Sequence, residues 1–170
     1  MRLAIASAVL VAGAFAASAE TPAERGAYLV TLAGCSDCHT PGGLLGQPDA
    51  KRRLAGSDVG FGDPASGVWI GGNLTPDKET GLGRFTTDQI IAAFTNGVLP
   101  DGRKLSPIMP WPALSHLTAA DAHAIAAYLQ SLPAVKNAVP GPFKAGETPT
   151  VPYISVVVPT AAYMGLPRPK

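Results

Sequence analysis

Two cysteines and a histidine lie within five residues of one another, in the segment Cys35-Ser-Asp-Cys-His39. Two thiols at this spacing can add across the two vinyl groups of one haem and form thioethers, and the adjacent histidine can then ligate the iron. A thioredoxin-like redox pair would need a βαβ context, and a structural zinc site would need four ligands at finger spacing. The sequence provides neither, and chance occurrence of a five-residue pattern is the remaining alternative. We therefore interpret Cys35 and Cys38 as covalent attachment points for one haem c, with His39 as an axial ligand of its iron.

The second axial position of the iron has four candidate ligands, which are Met109, Met164, His116 and His123. Met109 lies in the loop Ser-Pro-Ile-Met-Pro-Trp, with a proline on each side of the methionine, and a rigid loop can hold a weak thioether ligand at a fixed distance. Met164 lies in the tail, and both histidines are expected to face solvent. Met109 is therefore the predicted ligand. The alternatives are a hydrophobic plug over an open iron and an iron ligated by a second histidine.

Short helices are predicted to position these residues, and they cover residues 22–33, 86–97 and 118–132. The first follows Thr21, which is suited to an N-cap, and has Tyr28, Leu29 and Leu32 on one apolar side. The second and third each begin with a pattern typical of a capping box. The second ends at a glycine and the third before a proline, and both residues are typical helix terminators.

The rest of the chain is predicted to be mainly loop. Residues 40–84 are rich in glycine and proline without a sustained hydrophobic period, so no sheet of consequence is expected there. Residues 136–170 form a Pro-rich tail, in which residues 153–158 are either a lone strand or an extended strap. Three short helices with few aromatic residues make a poor core, so a cofactor is expected to fill the centre. The predicted fold class is mainly α, a small helical fold around one covalently attached haem.

Length, charge and the first residues restrict the function classes and the compartment. The chain has 170 residues and a formal net charge of +1, which suits one domain with tails and excludes a general binder of nucleic acid or anionic membranes. A positive start, an uncharged apolar run and a small-x-small cleavage site predict a signal peptide at residues 1–19. We expect an exported periplasmic protein, without a membrane-spanning segment after cleavage, whose main domain covers residues 20–135.

The chain resembles the class I monohaem c-type cytochromes, in particular the cytochrome domains associated with bacterial periplasmic dehydrogenases. Five stretches in the expected order carry the resemblance, at residues 34–40, 72–83, 96–102, 107–111 and 117–133. The resemblance implies a fold around one haem in which the first and last helices cross, with Gly26 at the crossing and Tyr128 packed there. It also implies thioether links at both cysteines, a proximal histidine and a distal methionine, in agreement with the residue chemistry above.

One position departs from the family's pattern, and three nearby residues are weaker site candidates. Members usually have a proline before the Asn-Leu pair, and its carbonyl accepts a hydrogen bond from the second ring N–H of the proximal histidine. Here the residue is Gly72, whose carbonyl can accept the same bond but is held less firmly. Trp69, Asn73 and Thr75 lie where the family packs around the haem edge and its propionates, and ordinary loop packing is the alternative for each.

Two functions follow from these observations. A His/Met-ligated iron has both axial positions filled, so it changes oxidation state without binding a substrate. The first function is therefore an electron carrier rather than an enzyme, and the resemblance implies a dehydrogenase as donor and another cytochrome or a terminal oxidase as acceptor. The alternative is a haem protein with an open or labile sixth position that acts as an enzyme or gas sensor. The Pro-rich tail would strap either onto the donor or onto the protein's own surface.

Overall fold

The computed structural model of the protein describes residues 19–157, so residues 1–18 of the predicted signal peptide, the end of the tail and Met164 lie outside the described residues. Within that range the helices, in chain order, are α1 (Pro22–Leu32), α2 (Cys35–His39), α3 (Thr87–Asn96), α4 (Trp111–Leu114) and α5 (Ala119–Ser131). The predicted mainly α fold class is confirmed, and the three predicted helices match α1, α3 and α5 to within one residue at each end. Between residues 19 and 157 no helix is both long and apolar enough to cross a membrane.

Side-chain caps determine where α1 and α3 begin. The hydroxyls of Thr21 and Thr86 accept hydrogen bonds from the backbone N–H groups three residues later, and Glu24 and Gln89 accept from the backbone of the capping threonine in return. These are complete capping boxes, and one such cap stabilises a helix by about 1 kcal/mol. At its other end α3 stops at Gly97, whose left-handed φ of 66° favours glycine.

The crossing of α1 and α5 forms the centre of the hydrophobic core. Gly26 lies at the crossing, where an added Cβ would overlap the carbonyl of Ala124 and lie 2.7 Å from Cβ of Tyr128. The missing side chain therefore allows the two backbones to approach closely, as the resemblance implied. Side chains from both helices and from α3 surround the crossing, and the buried cluster consists of Leu29, Val30, Leu54, Ile90, Phe94, Ala122, Ile125, Ala126 and Leu129.

The buried side of α1 differs from the predicted one. Leu29 is buried as expected, but Tyr28 is 55% exposed and Leu32 is 71% exposed. The buried residues of α1 are Gly26, Leu29 and Val30, because these face α5 across the close crossing. The prediction that Tyr28, Leu29 and Leu32 form the buried side of α1 was therefore wrong for Tyr28 and Leu32.

A small sheet occupies part of the region that was expected to be irregular. Strand β1 (Gly60–Asp63) pairs antiparallel with β2 (Gly67–Ile70), and β3 (Tyr153–Ile154) pairs parallel with β1 at its other edge. The expectation of no sheet of consequence was wrong here, since β1 and β2 have only four residues each, glycine among them, and β3 has two, which is too little alternation to be recognised. Residues 153–154 thus form an edge strand.

The segment after α5 packs on the protein's own surface. We call residues 135–154 the C-terminal strap. Asn137 donates from Nδ2 to the carbonyl of Ala55 at 2.7 Å, and Phe143 exchanges two backbone hydrogen bonds of 2.9 Å with Val68. Of the two places considered for the tail, the protein's own surface is the one that this segment occupies.

Candidate cofactor-binding site

The segment Cys35–His39 is a single turn of helix, α2, which is entered through a left-handed glycine. Gly34 has φ 65° and ψ 24°, a conformation that lets the chain turn directly from the end of α1 into α2. Cys35 and Cys38 are free thiols and half-buried, and Cys35 packs against the hydrophobic core. Burial raises the pKa of both thiols, so they are protonated at neutral pH.

His39 is buried, and one hydrogen bond orients its ring. Its Nδ1 lies 2.7 Å from the carbonyl oxygen of Gly72. A carbonyl can only accept, so Nδ1 carries the proton and the lone pair lies on Nε2, which makes no hydrogen bond within the described part of the chain. Burial lowers the pKa of His39, and the ring is therefore a neutral imidazole. A neutral imidazole with a free Nε2 is the form that ligates iron, and the expected contact with the Gly72 carbonyl is present.

Gly71 allows the Gly72 carbonyl to reach His39. An added Cβ on Gly71 would overlap the carbonyl oxygen of Cys38, and it would lie 2.8 Å from the carbon of that carbonyl and 3.3 Å from Nδ1 of His39. An added Cβ on Gly72, in contrast, would meet nothing within 4 Å. Gly71, which the sequence analysis did not single out, is therefore the glycine that the site requires for close packing. Its only sequence signal is its place in the Gly-Gly pair that follows β2.

Asn73 and Thr75 are buried and bonded within the protein. Oδ1 of Asn73 accepts from the backbone N–H of Thr75 at 2.9 Å and from its hydroxyl at 2.8 Å. Nδ2 of Asn73 donates to the hydroxyl of Thr80 at 3.0 Å and to the carbonyl of Val135 at 2.8 Å. Trp69 is half-buried in β2. These contacts are the loop packing that was considered as the alternative, and a contact of these residues with a haem stays a prediction.

The loop between α3 and α4 holds Met109 half-buried against the same hydrophobic core as Cys35. The backbone N–H of Met109 donates to the carbonyl of Ser106 at 3.0 Å, and the carbonyl of Met109 accepts from the N–H of Trp111 at 2.7 Å. The ring of Trp111 packs over Gly97, where an added Cβ would lie 2.7 Å from ring carbons. Trp111 thus anchors the loop to the end of α3, a role that the sequence analysis did not recognise.

The other described candidates for an iron ligand lie at the surface. His116 and His123 are both exposed, and Nδ1 of His123 lies 2.8 Å from the carbonyl of Ala119 in its own helix. Among residues 19–157, no group of three or more His, Cys, Asp and Glu side chains is arranged so that it could hold a metal ion by itself.

The residues of this site fit an iron porphyrin. The candidate donors are two thiols, an imidazole and a thioether, and groups of these kinds attach and ligate a c-type haem. A flat apolar ring also needs apolar side chains around it. In the described part of the chain, partly exposed apolar side chains pack against the same core cluster as Cys35 and Met109, and they include Leu74, Leu82, Phe85, Ile91, Leu114 and Leu117.

Comparison with known proteins gives one family and several relatives. The family model described as Cytochrome c matches residues 23–133. The fructose dehydrogenase cytochrome subunit of Gluconobacter japonicus is 35% identical over 134 residues, which are 75% of this chain and 26% of the relative. The alcohol dehydrogenase (quinone) cytochrome c subunit of Gluconacetobacter polyoxogenes is 35% identical over 105 residues, which are 62% of this chain and 20% of the relative. The gluconate 2-dehydrogenase cytochrome c subunit of Pantoea cypripedii is 33% identical over 133 residues, which are 75% of this chain and 28% of the relative. The chain thus spans about a quarter of the length of these relatives.

Proposed function

Because the chain belongs to the cytochrome c family, whose model matches residues 23–133, we propose that it transfers single electrons on one haem held by α2 and the Met109 loop. Haem c, bound covalently, is the cofactor of this family. The bound haem supplies an iron that changes its oxidation state by one electron. The observation that carries the proposal is the buried imidazole of His39, which directly follows the free thiol of Cys38 in the chain. Its Nδ1 is bonded to the Gly72 carbonyl, and its Nε2 makes no hydrogen bond in the described residues.

We assign one task to each residue of the site. Cys35 and Cys38 would hold the haem through two thioether bonds, in each of which the thiol sulfur is bonded to one former vinyl carbon and the thiol hydrogen to the other. His39 would hold the iron through Nε2, and Met109 would hold it through its sulfur. The tight loop around Met109 supports this assignment, because a thioether is a weak ligand that benefits from a fixed position.

The donor that we propose is a dehydrogenase, and the acceptor is another cytochrome or a terminal oxidase. Support for the donor comes from the relatives, several of which are named as cytochrome subunits of dehydrogenases. The chain itself would be a non-catalytic carrier that is exported to the periplasm by residues 1–19. The formal charge of +1 for the full chain falls to 0 without Arg2 of the signal peptide, which favours docking through a largely neutral face with modest dependence on salt.

Optical spectra of the mature haem protein test the ligand assignment. The wild type is expected to be low-spin and to show the weak far-red band of an iron–sulfur bond. The variant Met109→Ala is expected to lose this band completely and to bind carbon monoxide rapidly when reduced, because the sixth position is then open. The control is Ile108→Ala in the same loop, which is expected to keep the wild-type spectrum because its side chain is 47% exposed.

Either of two results would contradict this proposal. A high-spin wild type would mean that Met109 does not ligate the iron, and an unchanged spectrum in Met109→Ala would mean the same. Rapid binding of carbon monoxide to the reduced wild type would then favour the alternative function, an enzyme or gas sensor with an open sixth position.

A further inference from the structure

The carbonyl that orients His39 belongs to a glycine, the residue with the least restricted backbone. Gly72 is exposed, and no atom lies within 4 Å of the place where its side chain would begin. Its own contacts therefore do little to fix the direction of its carbonyl. A neighbouring group must hold the peptide unit between residues 72 and 73 so that the 2.7 Å bond to His39 persists.

Asn73, the next residue, has a side chain suited to this task. It is 5% exposed, and its amide uses all of its hydrogen-bonding capacity, with two donated and two accepted bonds of 2.8 to 3.0 Å. The bonds lead to three separate places in the chain, namely Thr75, Thr80 and Val135. A buried amide that is bonded in three directions cannot rotate without breaking bonds, so the backbone at residue 73 is fixed with it.

The C-terminal strap holds the partners of Asn73 in turn. The hydroxyl of Thr80 accepts from the backbone N–H of Asn137 at 3.0 Å and donates to Oδ1 of Asp77 at 2.7 Å. Nδ2 of Asn137 donates to the carbonyl of Ala55.

The chain segment around residue 72 is also bonded on both sides. The carbonyl of Gly71 accepts from the N–H of Ser57 at 2.8 Å, and the N–H of Leu74 donates to the carbonyl of Leu54 at 2.8 Å. The segment 71–74 is thus fixed at its ends by residues 54–57, and at its centre by Asn73 and the strap.

We propose that Asn73, whose side-chain amide donates a hydrogen bond to Val135 of the C-terminal strap, is a positioning residue that keeps the Gly72 carbonyl hydrogen-bonded to His39. This inference rests on the proposed function, since it concerns His39 as the iron ligand. The hydrogen bond on Nδ1 sets the ring orientation and the basicity of Nε2, so Asn73 acts on the iron through two intermediate groups. A proline would hold the carbonyl by restricting its own backbone, whereas here a side-chain amide and a distant segment do so.

The test follows the exchange of the His39 Nδ1 proton with deuterium in the oxidised, full-length haem protein, by NMR of the hyperfine-shifted ring resonances. Asn73→Ala is expected to accelerate this exchange by about tenfold or more, because the hydrogen bond between the Nδ1 proton and the Gly72 carbonyl then opens more often. Thr80→Val, which removes one of the four bonds of the amide, is expected to accelerate it by about threefold.

A rescue variant separates positioning from general packing. Gly72→Pro is compatible with the structure, because an added Cβ there has open space and the N–H of Gly72 donates to no backbone carbonyl in the described residues. The double variant Asn73→Ala with Gly72→Pro is expected to return the exchange rate to within about threefold of the wild type, since proline restricts the backbone directly.

The control is Val30→Ala, which removes fully buried side-chain volume in α1 and lowers global stability without removing a hydrogen bond of segment 71–74. It is expected to exchange at the wild-type rate. A wild-type rate in Asn73→Ala, equal acceleration in Val30→Ala, or no rescue by proline would each overturn the inference.

If Asn73→Ala does not fold, Thr80→Val with and without Gly72→Pro makes the same comparison. A wild type without any exchangeable ring proton on an iron-bound histidine would instead overturn the proposed ligation by His39.

Discussion

Gly26→Ala is expected to lower the free energy of unfolding by about 3 kcal/mol or more and the melting temperature by about 10 °C. The new Cβ would overlap the carbonyl of Ala124 and lie 2.7 Å from Cβ of Tyr128. Because the first of these groups is helix backbone, it cannot move aside as the end of a flexible side chain would. The helices must separate, and their separation loosens the packing of Leu29 and Val30. Urea unfolding followed by circular dichroism measures the loss.

Gly72→Ala is the matched control for this substitution. It makes the same chemical change at a position where the added Cβ has open space, and the φ of Gly72 is not positive, so alanine can adopt its backbone conformation. It is expected to change the free energy of unfolding by less than about 1 kcal/mol, with the sign towards stabilisation. A Gly26→Ala protein that unfolds within about 1 kcal/mol of this control would show that α1 and α5 do not cross at Gly26.

Gly71→Ala is expected to damage the cofactor site directly. Its Cβ would overlap the carbonyl of Cys38, so segment 71–74 has to move away from α2. This movement separates the Gly72 carbonyl from His39 and adds a steric cost of about 2 kcal/mol or more. The expected result is a melting temperature lowered by about 5 °C or more and broadened haem spectra, because the histidine ring is no longer held in one orientation.

Gly72→Ala serves again as the control, since it lies next to Gly71 and has the same side chain added. Thermal unfolding and the ratio of haem absorbance to total protein are measured for both variants. Equal melting temperatures and equal haem content in the two variants would contradict the close approach of Gly71 to Cys38.

The three main helices could be predicted from the sequence because their signals are local. Thr21 and Thr86 begin capping boxes that span four residues, and Gly97 ends a helix at the residue where it stands. The attachment motif is likewise contained in five residues, 35–39. Met109 was selected by the prolines on both sides of it, and the structure adds the anchoring ring of Trp111.

The sheet and the close approach of Gly71 could not be predicted, since both depend on partners that are distant in the sequence. Strand β3 pairs with β1, which lies about ninety residues earlier, and no pattern within two residues can indicate such a partner. The need for glycine at residue 71 follows from the position of Cys38, which only the folded chain brings near. The resemblance singled out Asn73, but its bond to Val135, 62 residues later, became visible only in the structure.

The crossing of α1 and α5 has a consequence for the order in which the chain can fold. Arg25 in α1 and Asp121 in α5 form a hydrogen-bonded salt bridge, although they lie 96 positions apart in the sequence. The two halves of the core therefore come from opposite ends of the domain. Contacts with such long sequence separation slow the folding of the domain, because a large loop has to close before they contribute. During synthesis, α1 leaves the ribosome with its buried side uncovered, and it stays uncovered until α5 has followed. The domain therefore cannot complete its core from the N-terminal part alone, and the core stays incomplete until α5 has been made.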